Sequence, residues 1–188
     1  MLKRILNHKS IIKKPPVIID LGASGEINKE WKKFYPYSIF LSLDGDKRKF
    51  DNFNQNFKKH YRVQTIVDTM KKRSIFYLTK SPYCSSLLKP NKKNLSKWFF
   101  ENKFKIIKKQ KVKTSTLFNL LKERKLKYVD IVKVDLQGVD LKIYESLPKQ
   151  IRNKIKYVEL EPGLYEFYEK ENDRVPQVMN KMSKDFFI

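Results

Sequence analysis

Cysteine is nearly absent from this chain: Cys84 is the only one in 188 residues. A lone thiol excludes an internal disulfide and points to a reducing compartment, hence a cytoplasmic location. Histidine is almost as scarce, with His8 and His60 alone, so a Cys/His zinc cluster is excluded. Long apolar runs are missing too. Nothing approaches the roughly 20 residues that cross a bilayer, so no transmembrane segment is expected. The N-terminal MLKRILNHKSIIKK is basic but lacks a long apolar region and a small-residue cleavage site, which argues against a secretory signal. Acids are few: 20 against 42 Lys and Arg, for a net charge of +22. Only seven of those 42 cations are Arg, the residue that grips phosphate bidentately. The lysines fall along the whole chain, so the excess reads as solvated surface charge and not as a nucleic-acid site. A polyanion- or RNA-binding role is the alternative that +22 keeps open.

Glycine is also sparse, five in all, so two of them three residues apart carry information. They occur in VIIDLGASG, residues 17–25. Three apolar residues there, Val17 to Ile19, run into Asp20, and a turn with Gly22 and Gly25 follows. A short continuous apolar run reads as a strand buried on both faces, as in parallel sheets. Asp20 then stands at its carboxyl end, where open α/β sheets bind ligands. The spacing is D-x-G-x-x-G and not G-x-G-x-x-G. The second glycine of the dinucleotide fingerprint, which faces a pyrophosphate, is here Ser24. A carboxylate at that place suits a cationic amino group, such as that of S-adenosylmethionine. The plainer reading is a strand-to-helix turn capped by Asp20.

The remaining elements fit one domain. Residues 1–16 form a basic lead-in, helical over 1–14 and stopped by Pro15-Pro16. A short helix over 26–34 and a strand over 37–43 complete β-α-β, with Asp44 at the second strand's end. Asp44 lies about 20 residues past the glycine turn, the spacing at which an acid takes a ribose hydroxyl; Asp46 is the fallback, and either could instead cap a helix over 47–56. A third strand spans 63–70 with Asp68 near its end, and a strand over 74–79 pairs with it as a hairpin. Ser81–Asn91 reads as a loop. Cys84 within it has no nearby base and is not read as a nucleophile. Trp98, Phe99, Phe100 and Phe104 sit among lysines and read as core more than as a base-stacking surface. Residues 105–112 suggest an edge strand, and Thr114 or Ser115 the cap of the next helix. A fourth strand over 128–136 ends near Asp135, with a helix over 139–147. A fifth covers 155–160, ending in Glu159 and Glu161. A helix over 165–170, another over 176–182, and the start of a strand at 186–188 close the chain. This predicts a Rossmann-like, doubly wound α/β fold over 17–188 with a mostly parallel sheet and acids along one rim.

Taken together, VIIDLGASG (17–25), LSLDGD (41–46), SPYCSSLL (81–88), IVKVDLQGVDLKIYESL (131–147) and YVELEPGLYEFY (157–168) resemble the FkbM family of S-adenosylmethionine-dependent methyltransferases. The resemblance runs from about Pro16 onward. The family often has Glu where Gln137 stands, and its members usually continue further, with a late β-hairpin. The resemblance implies O-methylation of a sugar, glycoconjugate or related small metabolite. It implies that Asp20, Gly22, Ala23 and Gly25 hold the methionine moiety, Asp44 the ribose, and Asp68 the region near the adenine. Asp135 would lie close to the methyl group, with Asp135 first and Glu161 second as the base. Ser85, Ser86 and Tyr165 would lie toward the acceptor. No metal-ligand spacing stands out, although a rim of carboxylates could hold Mg²⁺. Besides the polyanion reading, an RNA methyltransferase and a non-catalytic Rossmann-like module stay open.

Overall fold

The computed structural model describes residues 2–23, 29–49, 56–171 and 173–188. The lead-in is two short helices and not one: α1 (Leu2–Leu6) and α2 (Lys9–Lys13). They break where His8 turns extended and its Nδ1 accepts from the Ser10 amide, capping α2. After Pro15-Pro16 the chain enters β1 (Val17–Leu21), every residue of which is buried. Burying each such aliphatic side chain contributes about 1.5–3 kcal/mol, which makes β1 the natural centre of the sheet.

A 3₁₀ helix, Lys29–Tyr37, runs through Pro36 and replaces the short α-helix expected nearby; 24–28, which include Gly25, lie outside the described residues. Then come β2 (Ile39–Asp44) and a 3₁₀ turn at Lys47–Lys49; the rest of the helix expected to 56 lies largely outside the described residues. β3 (Lys59–Gln64) starts and ends earlier than its sequence suggested. At Thr65, whose amide donates to the Asp44 carbonyl, the chain leaves the central sheet. Residues Ile66–Val67 form β4 in a second sheet. β5 (Arg73–Thr79) does not form a hairpin with the preceding strand. It pairs antiparallel with β6 (Ile106–Ser115), which also takes β4 on its other side. β6 is therefore the middle strand of β4-β6-β5, not an edge.

Between β5 and β6 lie a short turn at Pro82–Cys84 and α3 (Lys92–Leu95). The helix α4 (Leu117–Glu123) is capped by Thr116, one residue beyond the expected caps, its Oγ accepting from the Asn119 amide. β7 (Ile131–Val134), α5 (Asp140–Glu145), α6 (Lys149–Arg152), β8 (Tyr157–Leu160) and α7 (Val175–Met182) follow. Residues 165–170 are not helical: Tyr168 bridges Pro90 instead, its ring buried. Residues 186–188 form no strand; Phe186 packs edge-on to Tyr144.

The central sheet is all parallel, in the order β3-β2-β1-β7-β8. Alternate residues of β1 face opposite ways. Val17, Ile19 and Leu21 join Leu117, Leu121, Ile143 and Val178 from α4, α5 and α7. Ile18 joins Phe40, Trp31 and Tyr35 on the other face. Helical segments thus flank the sheet on both sides, as in a doubly wound α/β fold.

Candidate active site

The strand order reverses direction between β1 and β7, so their carboxyl ends form a switch point where ligand crevices open. The Asp135 amide donates to the Leu21 carbonyl at 3.0 Å, locking the two ends together. Gly22 follows with φ +78°, and a Cβ there would lie 1.9 Å from the Asp135 carbonyl oxygen. Only glycine lets β1 turn this close to β7. The amides of Gly22 and Ala23 donate to the Leu43 carbonyl, so the turn meets a ligand by close approach and not with free N–H groups.

The crevice is lined by Gly22, Asp44, Asp46, Phe76, Tyr83, Ser85 and Asp135, with Ile66, Leu87 and Val139 among its apolar walls. Its enclosed volume is small, about 40 Å³, within about 580 Å³ of space that opens to solvent. Sites for drug-sized ligands enclose roughly 300–1,000 Å³, so a ligand that large fills the space open to solvent or widens the crevice.

Asp44 lines the crevice at the end of β2, buried, with Oδ1 accepting the Asp46 amide at 2.6 Å. Burial raises its pKa to about 6, against the lowering effect of that hydrogen bond. Burial pushes Asp46 upward as well, but the Arg48 guanidinium overcomes this and leaves it below the ordinary value. Arg48 Nε donates to both Asp46 oxygens at 3.0 and 3.1 Å. It also reaches the Thr79 carbonyl and Ser85 Oγ, and Ser85 Oγ donates to Asp46 at 3.1 Å. Ser85 therefore lines the crevice as part of a latch. Ser86 does not line it: buried, its hydroxyl donates to the Gln137 carbonyl at 2.9 Å.

Asp135 and Glu161, from the ends of different strands, are brought together. Burial first, then the Glu161 charge, raises Asp135 to about 6, with Lys133 and Gln137 opposing. Gln137, itself at φ +59°, donates Nε2 to Asp135 Oδ1 at 2.5 Å. Its Oε1 lies 3.2 Å from the buried Tyr168 hydroxyl, which donates to the Cys84 carbonyl at 2.9 Å. Lys133 Nζ meets Glu161 Oε1 at 3.1 Å. Asp140, almost fully buried, accepts the Leu136 amide at 2.9 Å and the Glu161 amide at 3.1 Å, and so fixes the loops that carry the two acids.

Asp20 lies on the Ile18 face of the sheet, level with Ser42 and Lys133, and does not line this crevice. Burial raises its pKa to about 7, partly offset by Lys133, and its Oδ1 has no hydrogen-bond partner. Asp68 also lies off the crevice, paired with Lys72 at 3.1 Å. Tyr165 is half exposed and packs on Trp98, away from the lining. The Cys84 thiol is buried and pushed up by that burial, unsuited to a nucleophile. Among the described residues no group of three His, Cys, Asp or Glu could hold a metal ion.

No family model, curated protein or solved structure matches the chain. The chemistry of the site stands on its own residues. Sequence reasoning does not single out Lys133, Asp140 or Arg48, and it marks Gln137 only as a departure from the family pattern. Lys133 had a signal: a lysine inside the apolar strand IVKV needs a buried counter-charge. Asp140 looked like any acid at a helix start.

Proposed function

We propose that the chain is an S-adenosylmethionine-dependent methyltransferase acting on an oxygen of a sugar or related small metabolite. The observation that carries the reading is the convergence of Gly22, Asp44 and Asp135 on one crevice at the switch point of a 3-2-1-7-8 sheet, with Glu161 beside Asp135 but outside the lining. Two features bear on the donor's chemistry. Asp20 lies off the crevice lining, so a bound donor would have to reach past that lining for its cationic amino group to meet the buried Asp20 Oδ1, which has no hydrogen-bond partner. Gly22, which lines the crevice, turns the β1 backbone tightly against the Asp135 carbonyl, so main chain without a side chain faces whatever the crevice holds. Asp44 then accepts from the ribose hydroxyls in charge-assisted hydrogen bonds.

The bound donor supplies an electrophilic sulfonium methyl. The chain's own residues have to hold an acceptor oxygen in line with it, at roughly 3–3.5 Å, and to take the hydroxyl proton. Asp135 suits the proton transfer, because its raised pKa places a stronger base than an ordinary carboxylate beside the crevice. Gln137 fixes its orientation through one oxygen. The apolar walls and the 82–87 segment exclude water once a ligand is seated.

Titration calorimetry with the donor and its demethylated product tests the binding site. Asp44→Ala is expected to weaken donor binding by about 1.5–3 kcal/mol. Unchanged affinity in the Asp20→Ala/Asp44→Ala double variant would sink the assignment. Transfer of labelled methyl to a panel of sugars and lipid-linked sugars then identifies the acceptor.

A further inference from the structure

We propose that the outward face of the β4-β6-β5 sheet is a docking surface for an anionic lipid membrane. Over the whole chain the lysines look dispersed, but residues 69–122 carry fifteen Lys and Arg against one acid, Glu101. The fold gathers this stretch into the second sheet and the aromatic layer beside it. In the β5-β6 ladder Arg73 stands opposite Lys113, Ile75 opposite Lys111, and Tyr77 opposite Lys109. Opposed residues of an antiparallel pair share a face, as do alternate residues along each strand. One face therefore carries four cations, with Ile75 and Tyr77 among them. The other face carries Phe76, which is buried and lines the crevice. The cationic face thus points away from the body, and its four cations and Ile75 are exposed. None of the four forms an ion pair among the described residues.

At one end of the ladder the Lys80 amide donates to the Lys105 carbonyl. There a shallow groove is lined by Lys80, Phe99, Phe100 and Lys103, and the Phe99 side chain is 96% exposed. Like charges placed directly opposite, as at Arg73 and Lys113, weaken a ladder, and an anionic partner relieves that repulsion. The cations of this face are three lysines to one arginine. Lysine is a point charge that needs no bidentate geometry, which suits headgroups spread over a surface better than the fixed phosphates of a nucleic acid. Lysine stems also lie along apolar surface while their ammonium groups reach the headgroups. Phe99 supplies an apolar wedge that can sink below them.

The test uses the full chain and vesicles of phosphatidylcholine, alone or mixed with phosphatidylglycerol, read by co-sedimentation. Partition onto the mixed vesicles only, falling as salt is raised, is expected. The Lys109→Gln/Lys111→Gln/Lys113→Gln variant should bind on the order of 100-fold more weakly, at roughly fivefold per lysine. Phe99→Ser should weaken the binding that survives at high salt. All four side chains are exposed, so unchanged melting of the variants shows that folding is not the cause. Equal partition onto neutral vesicles, no partition at all, or an indifferent triple variant overturns the proposal. So does displacement of the protein from vesicles by single-stranded RNA bound through the same lysines, which would assign the face to nucleic acid.

Discussion

At the scale of single residues, burial sets Asp20, Asp44 and Asp135 more than their neighbours do, whereas Arg48 decides for Asp46. Asp20 is the clearest case, its pKa raised to about 7 by desolvation that Lys133 only partly offsets. The folded-state pKa stands above the unfolded value, so the chain favours the protonated form. The associated stability is full below about pH 4 and is lost as pH rises through about 7. A shift of this size corresponds to about 4 kcal/mol at most. Asp44 and Asp135, each raised to about 6, act in the same direction. The melting temperature should therefore fall between about pH 4 and 7. Asp20→Asn should remove a large part of that fall; an unchanged pH profile in this variant would show that Asp20 ionises freely in the fold. Gly22 gives a steric counterpart. Gly22→Ala puts a methyl 1.9 Å from the Asp135 carbonyl at a positive φ. It should cost upward of about 2 kcal/mol, read by denaturant unfolding, because both strain and separation of the two strand ends are involved.

At the scale of elements, the strands of the central sheet were legible because their apolar runs are continuous, and VIID and IVKV each lead to the switch point. What the sequence concealed was partnership. The apolar stretch 63–79 reads naturally as a hairpin, yet its first part is split, Val63–Gln64 pairing with β2 and Ile66–Val67 with β6, and its second pairs with β6, a lysine-rich strand with little hydrophobic signature. Residues 165–170 have helical spacing, but the Tyr168 ring and hydroxyl are claimed by Phe104 and the Cys84 carbonyl. Asp44, Asp135 and Glu161 could be assigned to the rim from sequence because strand ends are countable positions. Asp140 could not, because it joins two loops through backbone amides, and nothing in its own surroundings in the sequence marks that role. Asp140→Ala leaves both amides without their carboxylate. At about 1–3 kcal/mol for each unsatisfied group, a loss of stability of about 2–6 kcal/mol is expected. Full stability in that variant would mean that water replaces the carboxylate. The Asp46–Arg48–Ser85 latch makes a kinetic prediction. Arg48→Gln should speed hydrogen exchange at Thr79 and Ser85, whose segment Arg48 ties to β2, while leaving β1 amides protected.

For the whole molecule, the charge distribution and the two sheets belong to one problem. The inner strands β1 and β2 of the central sheet are buried almost throughout, whereas β5 carries Arg73 and β6 four lysines into solvent on a ladder of only two long strands. With +22 on 188 residues, self-repulsion opposes compaction, and it is concentrated where apolar burial is least. The few ion pairs of the described residues are mostly at the surface, where each contributes at most about 1 kcal/mol. Screening should therefore remove more repulsion than attraction. Raising salt from about 0.01 to 0.1 M shortens the Debye length from about 30 to about 10 Å. That is enough to uncouple the ladder from most of the remaining charge. The melting temperature should rise by several degrees over this range, roughly 2–4 °C for each kcal/mol gained. Hydrogen exchange should locate the gain, with β5 and β6 amides slowing more than those of β1 and β7. A melting temperature that falls with salt would mean that attractive pairs such as Lys133–Glu161 outweigh the lysine field. The stability of the crevice would then depend on its charges more than on the buried strands beneath it.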